Sequence, residues 1–323
     1  MLLGNVILGR IIKIESKDYY VEERNGSIFR CSLRGKFKKT LRIKKDKLRT
    51  LDVASIGDWV RFNKITGDLG VIESIENRRN YLSRKAIKAR GSLKRGERLE
   101  QIVASNIDNL FIVTSIKSPE FNHKFLDRVI VSAESSNINV VIVVNKLDLD
   151  SDNLIPYWEQ LYSKVGYNVH VICAVNKTGI DPLKAELDGK VNLFWGQSGV
   201  GKSTLLNSMF PQLDFEVGEI SNYSQKGTHT TVTGELREVE KNTYIIDTPG
   251  IREIEPYGIK KEDVSHYFIE FQPYLNDCKF NTCTHHHEPG CAITVAVENR
   301  HISVERYESY LSLLETIEDD MFY

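Results

Sequence analysis

A glycine-rich segment that ends in lysine and serine is the first part of the sequence with recognisable chemistry. GQSGVGKS, at 196–203, fits G-x-x-x-x-G-K-[ST] at every position and lies between an apolar run, 191–195, and a helical run. In such a strand–loop–helix context the backbone N–H groups surround phosphates, Lys202 reaches the β- and γ-phosphates, and the Ser203 hydroxyl ligates Mg²⁺. The predicted phosphate-binding residues are Gly196, Gln197, Ser198, Gly199, Val200, Gly201, Lys202, Ser203 and Thr204.

A second apolar run ends in an acidic residue that suits the metal side of the same site. TYIIDTPG, at 243–250, predicts a buried strand followed by Asp-x-Pro-Gly. Asp247 stands where a Walker-B carboxylate holds Mg²⁺, directly or through water, and the Gly250 N–H is placed to sense the γ-phosphate. The interval of 45 residues from Lys202 to Asp247 leaves room for a helix, a switch loop and another strand. The two motifs together predict a magnesium–triphosphate site.

The tetrapeptide NKLD, at 145–148, indicates which base is bound. It follows the apolar run 140–144. A carboxylate at Asp148 can accept hydrogen bonds from both the N1–H and the 2-amino group of guanine, whereas adenine offers no such pair of donors. Lys146 is predicted to pack over the base, and Asn145 to brace the neighbouring loops. With a phosphate-binding loop in the same chain, this motif favours GTP over ATP.

The order of these motifs along the chain is unusual. A base-side loop, 173–179, begins with Cys173 and Ala174, which resemble the step in GTPases whose backbone contacts guanine O6. It comes after NKLD and before the phosphate-binding loop, whereas ordinary GTPases begin with the phosphate-binding loop. All of these motifs must surround one nucleotide, so the sequence predicts a circular permutation of the fold, which surface termini that lie close together permit.

The group that would orient the attacking water is the least obvious part of the site. After Asp-x-Pro-Gly a Ras-like protein carries glutamine, but this chain has Ile251. His229 is the nearest candidate to orient or deprotonate that water, although a structural or RNA-contacting role for it stays open. Thr230 or Thr231 is expected to bind Mg²⁺ and the γ-phosphate, and Thr231 is preferred. Catalysis is therefore assigned to His229 together with Lys202.

Three of the five cysteines lie within 14 residues near the end of the chain. An odd number of cysteines without a secretory signal argues against a disulfide framework, so the cluster predicts a metal site. Cys278, Cys283 and Cys291 with one imidazole form a closed Cys₃His set, which is typical of structural zinc. The candidates for the fourth ligand, nearly equivalent by spacing, are His285, His286 and His287.

The N-terminal third differs from the rest of the chain in charge. Residues 1–98 carry a formal net charge of +14 and residues 99–323 one of −15. This asymmetry favours a polyanionic partner, most simply nucleic acid, and a solvated charged face is the alternative. The segment 34–49 is dense in Lys and Arg, a composition that suits a loop following a phosphate backbone. The candidate RNA-binding residues in it are Lys36, Lys38, Lys39, Lys44 and Lys45.

Short apolar or alternating runs separated by turn residues dominate the same third. Five such runs within about 75 residues predict a small closed β-barrel of the OB type. The basic stretch 78–98 that follows has the Gly, Ser and charge content of a linker or interaction segment. The five predicted strands are 6–14, 18–23, 28–33, 57–63 and 70–75.

The order NKLD, GQSGVGKST, KGTHTT, DTPGIRE and C-x₄-C-x-H-x₅-C resembles the small ribosomal subunit biogenesis GTPases, the RsgA/YjeQ family. The resemblance covers essentially the whole chain. It implies a GTPase that binds the small ribosomal subunit late in maturation and is stimulated by it. It also points to His229 as the catalytic residue and, through C-x-H, to His285 as the zinc ligand. Thr228 and Val232 depart from the family's switch I, which commonly has arginine and threonine there.

The sequence thus predicts a multidomain protein with an N-terminal OB-fold β-barrel, a circularly permuted α/β P-loop GTPase domain and a small C-terminal zinc-binding domain. Apolar residues at helical spacing after 299 predict a helix that closes the last domain. Because this domain follows switch II, nucleotide state is expected to reach it through 251–262. The predicted boundaries are 1–77 for the RNA-binding barrel, 78–98 for the basic linker, 99–262 for the GTPase domain and 263–323 for the zinc domain.

The expected function is hydrolysis of GTP to GDP and phosphate by a factor that binds the 30S subunit and its 16S rRNA and is released on turnover. The alternative is an RNA-binding regulator whose nucleotide site switches state with negligible turnover. The vacant glutamine position favours slow intrinsic hydrolysis in both cases. One structural Zn²⁺, and Mg²⁺ with GTP, are the expected cofactors. No apolar run approaches the roughly 18 residues of a membrane span, so a cytoplasmic protein is expected, as a monomer.

Overall fold

The computed structural model describes residues 6–35, 48–50, 53–85, 98–213, 215, 234–247 and 256–317. None of the helices in these ranges is long and apolar enough to cross a bilayer. The strands are β1 Ile7–Glu15, β2 Asp18–Glu23, β3 Ile28–Leu33, β4 Leu48–Thr50, β5 Trp59–Lys64, β6 Leu69–Ile75, β7 Tyr81–Lys85, β8 Arg98–Ser105, β9 Asn109–Ser115, β10 Asn139–Asn145, β11 Asn168–Val171, β12 Val191–Trp195, β13 Glu235–Glu240 and β14 Thr243–Asp247. The helices are α1 His123–Glu134, α2 Ile155–Val165, α3 Ile180–Ala185, α4 Lys202–Met209, α5 Ala292–Glu298 and α6 Val304–Thr316.

The N-terminal strands form the predicted barrel. Its order is β1-β2-β3-β6-β5, and pairing of β1 with β5 closes it. β3 and β6 run parallel, and the other neighbours run antiparallel. Alternate side chains such as Ile11, Val21 and Phe62 fill the interior and are fully buried. The expectation of a five-stranded OB-type barrel is therefore confirmed, with strand ends close to those predicted.

A parallel sheet forms the core of the middle domain. β11, β10, β9, β12 and β14 are parallel neighbours in that order, and β13 adds to β14 in the antiparallel direction. The strands are continuous apolar runs because helices cover both faces of the sheet. On β9, Leu110 and Ile112 pack with α1 on one face, whereas Phe111 and Val113 pack with α3 and α4 on the other. This is the α/β architecture predicted from the P-loop context.

Asparagines near the amino ends of three strands fix the register of this sheet. Asn139 Nδ2 donates to Asn109 Oδ1 at 2.9 Å, and Asn109 Nδ2 donates to Asn192 Oδ1 at 3.1 Å. Asn192 in turn donates to the main-chain oxygens of Leu187 and Tyr244. Because any slip in register would leave the buried amides of Asn109 and Asn192 unpaired, the row specifies the alignment of β9 with its neighbours β10 and β12. The opposite edge of the sheet adjoins the predicted nucleotide-binding motifs.

The barrel and the core are joined by hydrogen-bonded structure. β1 pairs with β13, with Lys13 opposite Glu235, so one sheet runs through both domains. The fully buried Asp58 accepts hydrogen bonds from the Ser105 hydroxyl at 2.6 Å and from two nitrogens of Arg78 at 2.7 Å each. These contacts span the barrel, the segment after it and strand β8, which precedes the core strand β9.

Part of the stretch predicted as a linker, 78–98, is a strand. β7 pairs antiparallel with β8, and β4 pairs parallel with β8 to complete a second, three-stranded sheet. The reason is that Leu82, which is fully buried, and the side-chain bonds of Arg78 and Arg79 tie this stretch to the core. Residues 86–97 of the same stretch lie outside the described residues.

The C-terminal domain packs against the core helix α1. Two 3₁₀ segments, Lys261–Tyr267 and Ile269–Asp277, precede α5 and α6, and their apolar residues share a cluster with Val131 of α1. The predicted closing helix is α6, and Ile302 lies buried just before its first turn. The side chain of Arg306 is fully buried in the contact with α1.

Candidate nucleotide and metal sites

The carboxyl ends of five core strands form one edge of the sheet. The strands are parallel, so their carboxyl ends lie side by side, and ligands of open α/β sheets bind outside those ends. The register places Asn145 opposite Ser115 on β9 and Phe194 opposite Asp247 on β14. The loop beginning at Gly196 follows β12 directly. The permuted motifs of the sequence therefore come together in space.

Two glycines of the phosphate-binding loop have no room for a side chain. A Cβ on Gly196 would lie 2.1 Å from the main-chain oxygen of Val113. Gly201 has a φ of +95°, and a Cβ there would lie 2.5 Å from Asn145 Nδ2. Only glycine fits such close approaches and such a left-handed conformation. The loop can therefore turn sharply between β12 and α4, which begins at Lys202.

The Lys202 ammonium is held at the phosphate-binding loop by main-chain oxygens. Its Nζ donates to Gly196 O at 2.6 Å and to Gln197 O at 3.1 Å. Burial lowers the pKa of Lys202, and the nearby Asp247 carboxylate opposes that shift. A buried ammonium whose partners are neutral carbonyls is well suited to exchange them for phosphate oxygens. Binding of the β- and γ-phosphates by this lysine stays a prediction.

Ser203 and Asp247 fit a magnesium ion by their chemistry. Ser203 lies in the first turn of α4, and Asp247 ends β14 beside β12. Mg²⁺ prefers hard oxygen ligands and keeps several waters, so a hydroxyl and one carboxylate next to the substrate phosphates suffice. These two residues would hold the ion together with the nucleotide.

Asn145 joins three of the loops. Its Nδ2 donates to Val200 O at 2.9 Å, and its Oδ1 accepts from the Ala174 N–H at 3.1 Å. The side chain is 2% exposed. One amide therefore ties the guanine-reading loop to both the base-side loop and the phosphate-binding loop, as a bracing role requires.

Lys146 reaches across the site to a loop that the sequence motifs did not indicate. Its backbone is left-handed, with a φ of +64°, and its Nζ donates to Gly199 O at 2.7 Å and to Ser118 O. The Ser115 hydroxyl donates to Pro119 O at 2.8 Å, which holds the loop in place. The position of this loop after a buried strand, β9, was its only signal in the sequence.

The carboxylate assigned to guanine recognition has a partner of its own. Cys173 Sγ donates to Asp148 Oδ1 at 3.0 Å, and Cys173 is 2% exposed. The sequence predicted only a backbone role for this cysteine. In the structure its side chain also orients Asp148, so the base-side loop positions the carboxylate that is predicted to read the base.

The structure brings together one metal-ligating group from each of the four predicted residues near the chain end. The ligand atoms of Cys278, Cys283, His285 and Cys291 all lie within 4.8 Å of one another. His285 Nδ1 is 3.5 Å from Cys278 Sγ and 3.4 Å from Cys291 Sγ. His285 is buried, whereas the next histidine, His286, is exposed. Three thiols and one imidazole in this arrangement suit a tetrahedral thiophilic cation.

The loop that carries these groups is built around Glu288. Its carboxylate accepts from the Thr284 N–H at 2.8 Å and from the His286 N–H at 3.0 Å. Burial opposes ionisation, but these hydrogen bonds prevail and lower the pKa of Glu288 to about 2. The hydroxyl of Tyr307 donates to His285 O at 2.7 Å, so α6 also supports the loop. Burial raises the pKa of Cys283 to about 12, so a cation is needed to hold it as a thiolate.

Several predicted site residues lie outside the described residues. They lie in switch I, in the Asp-x-Pro-Gly motif and in the basic segment 34–49. They are His229, Thr231, Gly250, Lys36, Lys38, Lys39, Lys44 and Lys45.

Sequence families and solved structures match the chain along nearly its whole length. The family described as RsgA N-terminal domain matches residues 8–72, and the family described as RsgA GTPase matches residues 75–256. "Small ribosomal subunit biogenesis GTPase RsgA 2" of Bacteroides thetaiotaomicron is 37% identical over 317 residues, which cover 97% of this chain and 98% of that protein. The Chlorobaculum parvum protein "Small ribosomal subunit biogenesis GTPase RsgA" is 34% identical over 98% of this chain and 100% of its own length.

Two crystal structures share the architecture. YjeQ from Thermotoga maritima superposes with a TM-score of 0.73 at 31% identity, covering 96% of this chain and 98% of that one. YloQ, described as a circularly permuted GTPase, superposes with a TM-score of 0.70 at 26% identity, covering 99% and 98%. The permutation predicted from the order of motifs is thus present in a structural relative.

Proposed function

Because the chain belongs to the RsgA GTPase family, we propose that it binds the small (30S) ribosomal subunit and assists its late maturation while hydrolysing GTP to GDP and phosphate. The observation that carries this proposal is the pair of hydrogen bonds made by Asn145. They join the guanine-reading, base-side and phosphate-binding loops into one site although the chain supplies them in permuted order. The relatives' names supply the subunit as partner.

The residues divide the work of the reaction between them. Backbone N–H groups of the phosphate-binding loop and the Lys202 ammonium take the triphosphate, and Asp148 takes the guanine edge. Ser203, Asp247 and Thr231 hold Mg²⁺, which when bound neutralises charge on the phosphate oxygens. His229 orients the attacking water, because Ile251 stands where a Ras-like glutamine would. Gly250 senses the γ-phosphate.

The remaining proposals concern zinc, RNA and the cell. The Cys₃His cluster holds one structural Zn²⁺, since all four positions of the tetrahedron are filled by protein. The barrel, 1–77, and the basic stretch after it contact 16S rRNA through phosphates, with the lysines of the loop 34–49 foremost. The GTPase and zinc domains span 99–262 and 263–323. The protein acts in the cytoplasm as a monomer.

Changing Asp148 to Asn should exchange the preference for guanine for a preference for xanthine. The amide can donate to the 2-oxo group of xanthine and accept from its N1–H, whereas the guanine 2-amino group loses its acceptor. Competition binding of GTP and XTP measures the exchange. Asp152→Asn, an exposed acid on the following turn, is the matched control and should keep the preference for GTP. A variant at Asp148 that still prefers GTP would refute the assignment of the base reader.

Changing Cys283 to Ser should remove most of the bound zinc and lower the temperature at which the C-terminal domain unfolds. A hydroxyl is a poor replacement for a thiolate, and the remaining three ligands leave the tetrahedron incomplete. Zinc content per chain and thermal unfolding measure the two effects. His286→Ala is the matched control and should keep one zinc, because His286 is exposed. Full zinc occupancy in the Cys283 variant would exclude Cys283 as a ligand.

A further inference from the structure

A polar cleft lies where the segment after the barrel, the end of α1 and the C-terminal domain meet. Its volume is about 550 Å³, within the ~300–1,000 Å³ of known ligand sites. α1 begins at the nucleotide edge of the sheet and ends in this cleft, so the cleft is a separate site at the opposite edge. The lining residues used below are Arg78, Arg79, Tyr81, Ser135, Ser136 and Tyr267.

The charges around the cleft favour an uncharged occupant. Arg78 donates two hydrogen bonds to Asp58, and Arg79 donates to Asp108 at 2.6 Å, so both guanidinium groups already face a carboxylate. Glu100 adds another acid to the lining. The carboxyl end of α1 also carries partial negative charge. A phosphate would therefore be disfavoured inside, whereas a neutral group with N–H donors would be favoured.

Aromatic and hydroxyl groups in the same lining suit a flat, hydrogen-bonding ring. Tyr81 is 37% exposed, and the Arg78 guanidinium lies 5.8 Å from its ring centroid. Tyr267 faces the cleft from the C-terminal domain, and Ser135 and Ser136 contribute from the end of α1. Unpaired nucleobases are recognised by stacking on aromatic rings and guanidinium planes and by hydrogen bonds to their edges.

The surroundings decide between a nucleobase within a strand and a free nucleoside. Residues 1–98, to which Tyr81 belongs, carry a net charge of +14. Arg84 and Lys85 follow on the same strand, β7. Such an excess of positive charge attracts a phosphate backbone, while the cleft itself suits only a base. An RNA strand satisfies both conditions, and a free nucleoside uses only the second.

We propose that the cleft takes one unpaired nucleobase of an RNA strand, with Tyr81 as its stacking platform and the phosphates outside. The proposal rests on the proposed function, because the subunit's RNA would supply the strand. A base held there contacts the segment after the barrel, the core and the C-terminal domain at once. It would therefore fix these three parts relative to one another when RNA is bound.

The test uses the full-length protein and a fluorescently labelled 12-nucleotide single-stranded RNA of mixed sequence. Tyr81→Ala should weaken binding about tenfold, within the range for loss of one base stack, whereas Tyr81→Phe should retain it. Ser136→Trp, which fills the cleft, should weaken binding to a similar degree. Tyr157→Ala removes a tyrosine that is 47% exposed on α2 and should leave affinity unchanged. RNA carrying 4-thiouridine should crosslink within 78–83 or 132–137.

Unchanged affinity in both the Tyr81→Ala and Ser136→Trp variants, or crosslinks confined to other segments, would overturn the proposal. The proposal would also be overturned if duplex RNA bound as tightly as the single strand and lost as much affinity in both variants, because a paired base cannot enter the cleft. Titration with free adenosine and uridine distinguishes a base within a strand from a free nucleoside. If a nucleoside binds saturably, and Tyr81→Ala abolishes that binding but leaves RNA affinity unchanged, the cleft is a nucleoside site instead. If added 30S subunits do not change GTP turnover while RNA binding still depends on Tyr81, the proposed function is refuted and the cleft assignment stands.

Discussion

Replacing Arg306 with methionine is expected to lower the free energy of unfolding by about 3–5 kcal/mol, the usual cost of removing one partner from a buried ion pair. Arg306 Nη1 donates to Asp127 Oδ1 at 2.6 Å, and its Nε and Nη2 donate to Glu270 at 2.6 and 3.0 Å. Burial opposes the charge, but the two carboxylates hold the pKa of Arg306 above its ordinary value. Without the guanidinium, two acids in and beside the interface lose their counter-charge.

Urea unfolding followed by circular dichroism measures this loss. The exposed Arg300 of the same domain gives the matched control, and Arg300→Met should change stability by less than about 0.5 kcal/mol. Adding Asp127→Leu and Glu270→Gln to the Arg306→Met variant should recover much of the loss, since no unpaired charge then stays buried. An Arg306→Met variant as stable as the Arg300 control would mean that the buried ion pairs of Arg306 add no net stability.

Replacing Lys202 with alanine should weaken GTP binding and reduce turnover at least about a hundredfold. A loss of that size is usual when a fixed positive group that stabilises negative charge in the transition state is removed. The Lys202 ammonium lies at the loop that is proposed to take the phosphates and is held there by two main-chain oxygens. The loss should be larger for GTP than for GMP, because the missing contacts are to the β- and γ-phosphates. Initial rates of phosphate release and nucleotide titrations measure both quantities.

Lys164→Ala, at the exposed end of α2, is the matched control and should leave binding and turnover unchanged. Circular dichroism should show both variants folded, because Lys202 makes its described contacts only within its own loop. Wild-type turnover in the Lys202 variant would place the phosphates elsewhere and refute the assignment of this loop.

The parts of the fold that were predictable are those with strong local patterns. The strand at 191–195 and the helix after Gly201 appear as expected, because an apolar run and a glycine-rich turn determine them locally. The barrel was predictable for the same reason, since turn residues separate its short strands. The permuted order needed no structure, because one nucleotide must contact all of the motifs.

The missed features depend on contacts between distant parts of the chain. Arg306 lies in a helix whose pattern is amphipathic, and nothing local distinguishes a buried arginine from an exposed one. Its partner Asp127 is 179 residues away. The loop at Ser118 and the thiol of Cys173 likewise acquire roles only through the packing of neighbouring loops. Strand β7 was hidden by a high content of charged residues.

The position of the C-terminal domain adds a second route of communication to the one expected from the sequence. The sequence suggested that nucleotide state reaches this domain through the chain segment 251–262. The structure adds a direct contact with α1, where His123 Nδ1 lies 3.0 Å from the Ser309 hydroxyl and Arg306 bonds Asp127. α1 follows the loop of Ser118, which contacts Lys146 of the nucleotide site. Movement of that loop would therefore reach the C-terminal domain through a packed helix.

The most direct test of the account is GTP turnover by the full-length protein with and without purified 30S subunits. The account predicts slow turnover alone, because no glutamine follows the Asp-x-Pro-Gly turn, and a marked increase with subunits that is lost in both the Lys202→Ala and His229→Ala variants. Subunits that bind the protein without raising its turnover would contradict the account and would identify an RNA-binding switch instead of a subunit-stimulated GTPase.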